Sequence, residues 1–317
     1  MRILVIGAGT IGLAHGWLLC RQNEVRFLVR KARARALAHG VTLTVHDLRP
    51  GHADVDTHFR PHLVTRMDPE WPEVVLVTVD QQHLPEVLPD MARLPPGVCI
   101  VFMLNHWDLE AALAPHLRRE QYVIGFPSQV GGGRDEGRVD VTVFPEGTVV
   151  EAPPTRDSQN MADQVALVLT RAGLRVRREA RMGAWLAVHH LQQSLTATPI
   201  LEAGSYDALV GNRVALARMV DAFREGLTVV RSRGLPAHRV WPAPLFLLPR
   251  PLVVRALHGM LASQDTRTMV VRHMTHGLPE WIDGFARIHA CARRAGLRTP
   301  ALDRQAAILR EAGHDLP

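Results

Sequence analysis

The chain opens with a short apolar run that leads directly into a glycine-rich turn. Residues 2–6 read RILVI, and residues 7–12 read GAGTIG, which is a GxGxxG pattern. Helical spacing of apolar side chains follows over residues 9–21, and a second strand pattern covers residues 24–30. The motif is weak alone, but this order of strand, turn, helix and strand predicts a βαβ unit with a dinucleotide-binding loop.

Each glycine of this motif has a role that a side chain would obstruct. Gly7 permits the tight turn, Gly9 lets the backbone approach a pyrophosphate, and Gly12 lets the helix pack close to the strand. Thr10 and Ile11 lie in the first turn of the predicted helix, where backbone N–H groups without helical partners can bind phosphate. We therefore assign these residues to a cofactor site.

The second strand ends in basic residues, where a site for NAD would carry Asp or Glu. Arg30 and Lys31 follow this strand, with Arg33 two residues further on. Because a guanidinium can bind a phosphate through two hydrogen bonds, this pattern favours NADP(H) over NAD(H). Lys31 is also the single lysine among 37 basic residues, so a buried catalytic lysine has no other candidate.

Strand and helix patterns alternate in the first half of the chain, and helix patterns alone fill the rest. Continuous apolar runs such as residues 73–79 are typical of strands buried in a parallel sheet. The stretch GGGRDEG at residues 131–137 indicates a loop. We predict an α/β fold with an N-terminal Rossmann-like doubly wound sheet in residues 1–180 and a C-terminal all-helical domain in residues 181–317.

Composition argues against several functional classes. Three widely separated cysteines without a CxxC motif indicate a reducing compartment, and we expect a cytoplasmic protein. No apolar run reaches the roughly 18 residues of a membrane span, so we expect no membrane partner. The net charge of +6 is spread along a chain with 5% aromatic residues, which disfavours nucleic-acid binding. His273 and His276 form a pair without a third ligand, and we expect no metal.

The apolar, proline-rich stretch LPAHRVWPAPLFLLPRP at residues 235–251 is too hydrophobic for a linker. It lines a pocket or a partner surface, or it is an irregular segment of the core, and its sequence supports both interpretations equally.

Several blocks of the chain resemble the ketopantoate reductase (2-dehydropantoate 2-reductase) family. They are the glycine motif with Arg30, the strand that ends in Asn105, the helix block WLAVHHLQQSLTA from Trp185, WIDGF at 281–285 and GLRTP at 296–300. The resemblance covers most of the chain. It implies NADPH as cofactor, a substrate site in the cleft between two domains, and a homodimer that pairs through the helical domain. It also implies cofactor contacts for Val79 and Asn105.

The chain differs from the family at the positions of the family's catalytic and pocket residues. By this resemblance Trp185 stands at the position of the catalytic lysine, and His189 and Gln193 stand at two pocket asparagines. Further departures are Asp80 for a lysine after Val79, His106 for a glycine after Asn105, and Leu278 for a glutamate. Ketopantoate is therefore not the expected substrate.

The replaced positions still suggest a catalytic face. Trp185, His189 and Gln193 are spaced i, i+4 and i+8, so they share one side of a helix. A hydride transfer to C=O needs a proton donor for the developing alkoxide, and His189 is the first candidate. Asn105 can orient the nicotinamide or the substrate oxygen. Further pocket candidates are His106, His190, Glu280 and Asp283.

Three functions fit these residues. The preferred one is an NADPH-dependent reductase that acts on a C=O or C=N bond of a small molecule. A more specific alternative is an imine reductase, because Trp185 could stack on a cationic substrate. The third is a binding protein or sensor that holds NADPH without catalysis, since several family positions are lost together.

Overall fold

The computed structural model describes residues 1–135 and 137–316, and its description of side chains leaves out residues 265, 268, 269 and 272–276. Contacts between Cα atoms divide the chain into two compact units. The N-terminal unit is Met1–Met182, and the C-terminal unit begins at Gly183.

The apolar runs at residues 2–6 and 73–79 contain strands of the N-terminal unit, and several more polar segments also form strands. In chain order they are β1 (Arg2–Ile6), β2 (Glu24–Leu28), β3 (Val41–Asp47), β4 (Val55–Phe59), β5 (His62–Val64), β6 (Val74–Val77), β7 (Cys99–Met103), β8 (Tyr122–Phe126), β9 (Val130–Asp135), β10 (Arg138–Val143), β11 (Thr148–Glu151) and β12 (Val176–Glu179). Its helices are α1 (Thr10–Leu19), α2 (Lys31–Ala36), α3 (Leu84–Met91), α4 (Leu109–Leu113) and α5 (Arg156–Arg171).

Eight of these strands form the main sheet, in the order β12-β11-β8-β7-β6-β1-β2-β5. The six strands from β8 to β5 in this order are parallel, whereas β11 pairs antiparallel with β8. The chain reverses its direction of winding between β1 and β6, which is the place where doubly wound sheets bind ligands. Ile6 lies opposite Val77 in this register, so Gly7 and Thr78 follow neighbouring strand ends.

A second sheet of four strands has the order β4-β3-β10-β9. The loop predicted at residues 131–137 is wrong for most of its length, because Val130–Asp135 forms β9 and pairs antiparallel with β10. The glycines there allow close contact between strands. A Cβ built on Gly132, whose φ is +141°, would lie 1.9 Å from the carbonyl oxygen of Asp140. Glycine at this point therefore allows the two strands to pair.

Every regular element that the structure describes in the C-terminal unit is a helix. Its helices are α6 (Met182–Ala203), α7 (Tyr206–Gly211), α8 (Arg213–Ser232), α9 (Arg250–Leu261), α10 (Gln264–Arg294) and α11 (Pro300–Glu311). Leu216 and Val220 of α8 pack with Leu257 of α9 in its apolar core. The carboxylate of Glu225 accepts hydrogen bonds from the backbone N–H groups of Ala301 (3.0 Å) and Leu302 (2.9 Å), which caps the start of α11.

The proline-rich segment has both buried residues, as in an irregular core segment, and residues that line a pocket. Ala237 and Ala243 are buried, while Trp241 and Leu247 are among the most exposed large apolar residues described. Together with one face of α8, the segment lines a cavity of about 550 Å³. Among the helices that the structure describes, none has a stretch long and apolar enough to cross a lipid bilayer.

Candidate active site

The glycine-rich turn lies where the main sheet changes its winding, between β1 and α1. Gly7 has a φ of +102°, and its backbone N–H donates to the carbonyl of Leu28 at 3.2 Å. The hydroxyl of Thr78, directly after β6, donates towards the carbonyl oxygens of Ile6 (3.1 Å) and Gly7 (3.2 Å). The turn is thus held by the strands on both sides of β1.

The second and third glycines of the motif have different surroundings. A Cβ on Gly12 would lie 2.1 Å from the carbonyl oxygen of Gly7 and 2.6 Å from the Thr78 hydroxyl, so this position serves close packing. A Cβ on Gly9 would meet no heavy atom of the described residues within 4 Å. Gly9 therefore leaves open space beside the start of α1, whose first turn carries no acidic side chain. This open cradle, next to backbone N–H groups that need partners, fits a dinucleotide pyrophosphate.

The basic residues after β2 separate into two groups. Arg30 and Lys31 are exposed, and Nη1 of Arg30 lies 4.0 Å from a carboxylate oxygen of Glu86. Arg33 points back to the glycine-rich turn, where its Nε and Nη2 donate to the carbonyl oxygen of Ala8 at 3.2 and 2.8 Å. The charged groups of Arg30 and Lys31 are therefore at the surface, where a phosphate could reach them.

A further cation comes from the second sheet. The pKa of Arg33 lies below its ordinary value. The larger cause is burial of its guanidinium, and the smaller cause is the positive charge of Arg134 on β9. The electrostatic environment at the end of β2 is therefore positive, which suits an anionic ligand.

The residues after β6 and β7 occupy the same edge of the sheet as the turn. Val79 lies against Gly7, with a methyl carbon 3.1 Å from the position of a Cβ there. Asn105 is half-buried and follows the end of β7 by two residues. His106 is buried, and its Nδ1 accepts a hydrogen bond from the backbone N–H of Asp108 at 3.0 Å. In the neutral ring the proton of His106 is therefore on Nε2.

Trp185 and His189 of α6 are in direct contact. Their rings stack with centroids 5.2 Å apart and an angle of 7° between planes. Both residues and Gln193, one turn further along, are half-buried, while Leu186, Val188 and Leu191 between them are buried. The face predicted from the i, i+4, i+8 spacing is thus the partly accessible side of an otherwise buried helix.

His190 lies on another side of α6, against α10. A Cβ on Gly284 would lie 2.8 Å from Nε2 of His190 and 2.3 Å from Oγ of Ser194. The structure therefore places His190 at a contact between helices, apart from the face that carries Trp185 and His189. The close approach depends on Gly284, which the sequence marks by the glycine of its WIDGF block.

The two acidic candidates, Glu280 and Asp283, are half-buried on α10. Asp283 accepts a hydrogen bond from Nε of Arg287 at 2.9 Å, one turn further along the helix. The described residues contain no group of three His, Cys, Asp or Glu that could hold a metal ion, and the side chains of His273 and His276 lie outside them.

Sequence reasoning missed two features of the N-terminal unit, the Thr78 hydroxyl and the contact of Arg33 with Ala8, and one of the C-terminal unit, the close approach at Gly284. Only Thr78 had a local signal, as a polar residue directly after the apolar run VVLV. The contact partners of Arg33 and Gly284 are remote in the sequence.

Comparison with known proteins gives a family match for the N-terminal part of the chain. Residues 3–154 match the family model described as ketopantoate reductase PanE/ApbA. The chain carries a ketopantoate reductase family domain. The family resemblance predicted from the sequence is therefore confirmed for residues 3–154, which include the glycine-rich turn, Arg30, Val79 and Asn105. A comparison with curated proteins gives no match.

Solved structures share the fold of this ketopantoate reductase-like chain over nearly its whole length. D-mandelate dehydrogenase with NADH and anilino(oxo)acetate is 17% identical, with a TM-score of 0.74, over 98% of this chain and 97% of that one. A PanE/ApbA family ketopantoate reductase from Ralstonia eutropha JMP134 is 18% identical, with a TM-score of 0.68, over 98% of each chain. A probable 2-dehydropantoate 2-reductase from Bacillus subtilis is 16% identical, with a TM-score of 0.70, over 98% and 99%. These likenesses confirm the predicted fold class, a Rossmann-like sheet with a helical C-terminal part.

Proposed function

We propose that this chain is an NADPH-dependent reductase of a small organic molecule other than ketopantoate, acting on a C=O or C=N bond. The observation that carries the proposal is the glycine-rich turn, with open space at Gly9 and exposed Arg30 and Lys31 after the neighbouring strand. Bound NADPH would supply the hydride. The turn and the start of α1 would hold its pyrophosphate, and the two cations would hold its 2′-phosphate.

The residues after the strand ends would orient the reacting groups. Val79 packs against Gly7, so it would limit the space beside the nicotinamide end of the site. The side-chain amide of Asn105 can donate to a carbonyl oxygen or accept from a carboxamide, which allows it to orient either the substrate or the nicotinamide. The solved D-mandelate dehydrogenase holds NADH, so the choice between the two cofactors in this chain depends on its own basic residues.

His189 would be the proton donor. Its stacking on Trp185 fixes the plane of the imidazole, and an oriented acid transfers a proton to a developing alkoxide with less loss of conformational freedom. Gln193, on the same face, offers an amide donor for the substrate oxygen. The second candidates are His106, His190, Glu280 and Asp283. Of these, Asp283 is already hydrogen-bonded to Arg287, and His190 packs against Gly284.

The half-buried indole of Trp185 favours flat substrates. A planar aromatic 2-oxo acid could stack there, and the ligand in the D-mandelate dehydrogenase structure, anilino(oxo)acetate, also carries an aromatic ring. A cyclic iminium ion could stack on the same ring through a cation–π contact and would arrive already protonated. The two substrate classes differ in their need for His189: reduction of a 2-oxo acid would require its proton, whereas reduction of an iminium ion would not.

The first experiment is a titration of the purified chain with NADPH, NADP⁺ and NADH, followed by fluorescence or heat. We expect binding selective for the phosphorylated cofactors and, with aromatic 2-oxo acids and cyclic imines, oxidation of NADPH. Tight binding without oxidation of NADPH by any substrate would support the sensor alternative. Absence of binding for all three nucleotides would overturn both the reductase proposal and the sensor alternative.

The proposal extends to assembly and location. Trp241 and Leu247 expose large apolar surfaces in the C-terminal unit, which supports a homodimer formed through that unit. Cys20, Cys99 and Cys291 are free thiols, which supports a reducing, cytoplasmic location.

A further inference from the structure

Arg33 joins two parts of the proposed cofactor site that lie 25 residues apart in the sequence. Two N–H groups of its guanidinium converge on the single carbonyl oxygen of Ala8, at 3.2 and 2.8 Å. Ala8 is buried and Arg33 is half-buried, so this contact is partly shielded from water. A charged donor in such surroundings makes a strong hydrogen bond.

This contact controls the orientation of one particular peptide group. The carbonyl of Ala8 and the N–H of Gly9 belong to the same trans peptide, whose two polar groups point in opposite directions. Holding the oxygen towards Arg33 therefore turns the Gly9 N–H away from it. On the other side of Gly9, its carbonyl accepts the N–H of Leu13 at 3.0 Å, as the first bond of α1. Gly9 is thus fixed on both sides while the space around it stays open.

The geometry also distinguishes Arg33 from its basic neighbours. The side chains of Arg30 and Lys31 are exposed, whereas Nε and Nη2 of Arg33 are engaged with the protein backbone. Arg35, two residues further along α2, is exposed and supplies a control on the same helix.

We propose that Arg33 is a positioning residue, which holds the Ala8–Gly9 peptide in the orientation that receives the pyrophosphate and is not a ligand of the 2′-phosphate. This inference rests on the proposed function, since it requires that the turn binds a dinucleotide. It predicts that Arg33 matters equally for nucleotides with and without the 2′-phosphate.

The test compares Arg33→Met, which keeps the length of the side chain and removes its donors, with Arg35→Met in the full chain. The probes are NADPH, NADH and adenosine 2′-monophosphate, which has the 2′-phosphate but no phosphate at the 5′ position. We expect Arg33→Met to weaken NADPH and NADH by the same factor, roughly tenfold or more, and to leave the affinity for the monophosphate unchanged. Arg35→Met should leave all three affinities unchanged.

Two results would overturn the inference while the proposed function stands. A loss confined to NADPH and the monophosphate would make Arg33 a ligand of the 2′-phosphate, and unchanged affinities would give it no role in binding. The melting temperature of each variant separates misfolding from loss of the contact. If Arg33→Met does not fold, Arg33→Gln serves in its place, because it keeps a shorter donor and should show the same equal loss. A wild-type chain that binds none of the probes would overturn the proposed function and this inference together.

Discussion

The imidazole of His189 lies parallel to the indole of Trp185, with ring centroids 5.2 Å apart, one helical turn along α6. The stack holds a candidate acid in a fixed plane on the accessible side of a helix whose other sides are buried. By the sequence resemblance, Trp185 and His189 replace a lysine and an asparagine of the family. The stack offers one structural reason for both changes, since each ring packs against the other.

Replacing His189 tests this pair directly. We expect His189→Gln to lower kcat for a carbonyl substrate by about 10²- to 10⁴-fold, the usual contribution of a positioned acid, with an unchanged Kd for NADPH. Steady-state kinetics with saturating cofactor measures the effect. An iminium substrate should lose far less, because it carries its own proton. Equal activity of wild type and His189→Gln on a carbonyl substrate would remove His189 from the mechanism.

The two glycines at the start of α1 should respond oppositely to alanine. Gly12→Ala places a methyl group 2.1 Å from the Gly7 carbonyl oxygen, so we expect it to destabilise the fold by about 1–3 kcal/mol or more. Gly9 has a φ of −80° and open space, so Gly9→Ala should keep the melting temperature and weaken NADPH binding instead. Thermal unfolding and a binding titration on each variant separate the two roles. Loss of stability in Gly9→Ala would contradict the assignment.

Gly284 should be irreplaceable for packing. A methyl group there would lie 2.3 Å from Oγ of Ser194, and we expect Gly284→Ala to cost about 1–3 kcal/mol of unfolding free energy. Gly259, exposed on α9 with no described heavy atom within 4 Å of an added Cβ, is the matched control. Gly259→Ala should stabilise the chain by up to about 1 kcal/mol through helix propensity. Urea unfolding measures both, and Ser194→Ala should recover part of the loss in the double variant.

His15 should make the stability of the chain depend on pH. It is fully buried on α1 with Nδ1 2.9 Å from the carbonyl oxygen of Ile11, and desolvation lowers its pKa from 6.5 to about 4. The unfolded chain therefore binds a proton between these values that the folded chain does not. The stability is complete above pH 6.5 and falls as the pH decreases towards 4, by an order of 3 kcal/mol at most.

Urea unfolding at pH 7.5 and pH 5 measures this dependence. His15→Leu should reduce the difference between the two pH values, whereas His39→Gln, at an exposed histidine, should keep it. The same pH dependence in His15→Leu and the wild type would assign it to other groups.

The exposed apolar residues of the proline-rich segment should control assembly. We expect Trp241→Glu with Leu247→Glu to shift a homodimer to monomers, because each change places a charge in an apolar contact. Light scattering over a range of concentrations measures the mass. A control with Val214→Glu, which is exposed at the start of α8, should leave the mass unchanged. A dimer that persists in the double variant would place the interface elsewhere.

The sequence determined most of the local structure and the fold class. Short apolar runs, helical spacing and the GxGxxG turn depend on neighbours in the chain, and they correctly predicted the central strands and α1. The different local geometries of Gly7, Gly9 and Gly12 also follow from their positions in the motif, because a turn that needs a residue without a side chain is a local feature.

Only the tertiary structure decided which distant segments meet. Residues 41–47 have the pattern of a strand, but their pairing with β10 places them in a second sheet, outside the doubly wound one. The sequence marks Arg33 only as a further basic residue after Arg30 and Lys31, and its contact with Ala8 follows only from the path of the chain. His190 and His189 are adjacent and chemically identical, yet rotation by one residue along α6 turns His190 to Gly284 and leaves His189 on Trp185. Residue type sets what a side chain can do, and long-range packing sets what it touches.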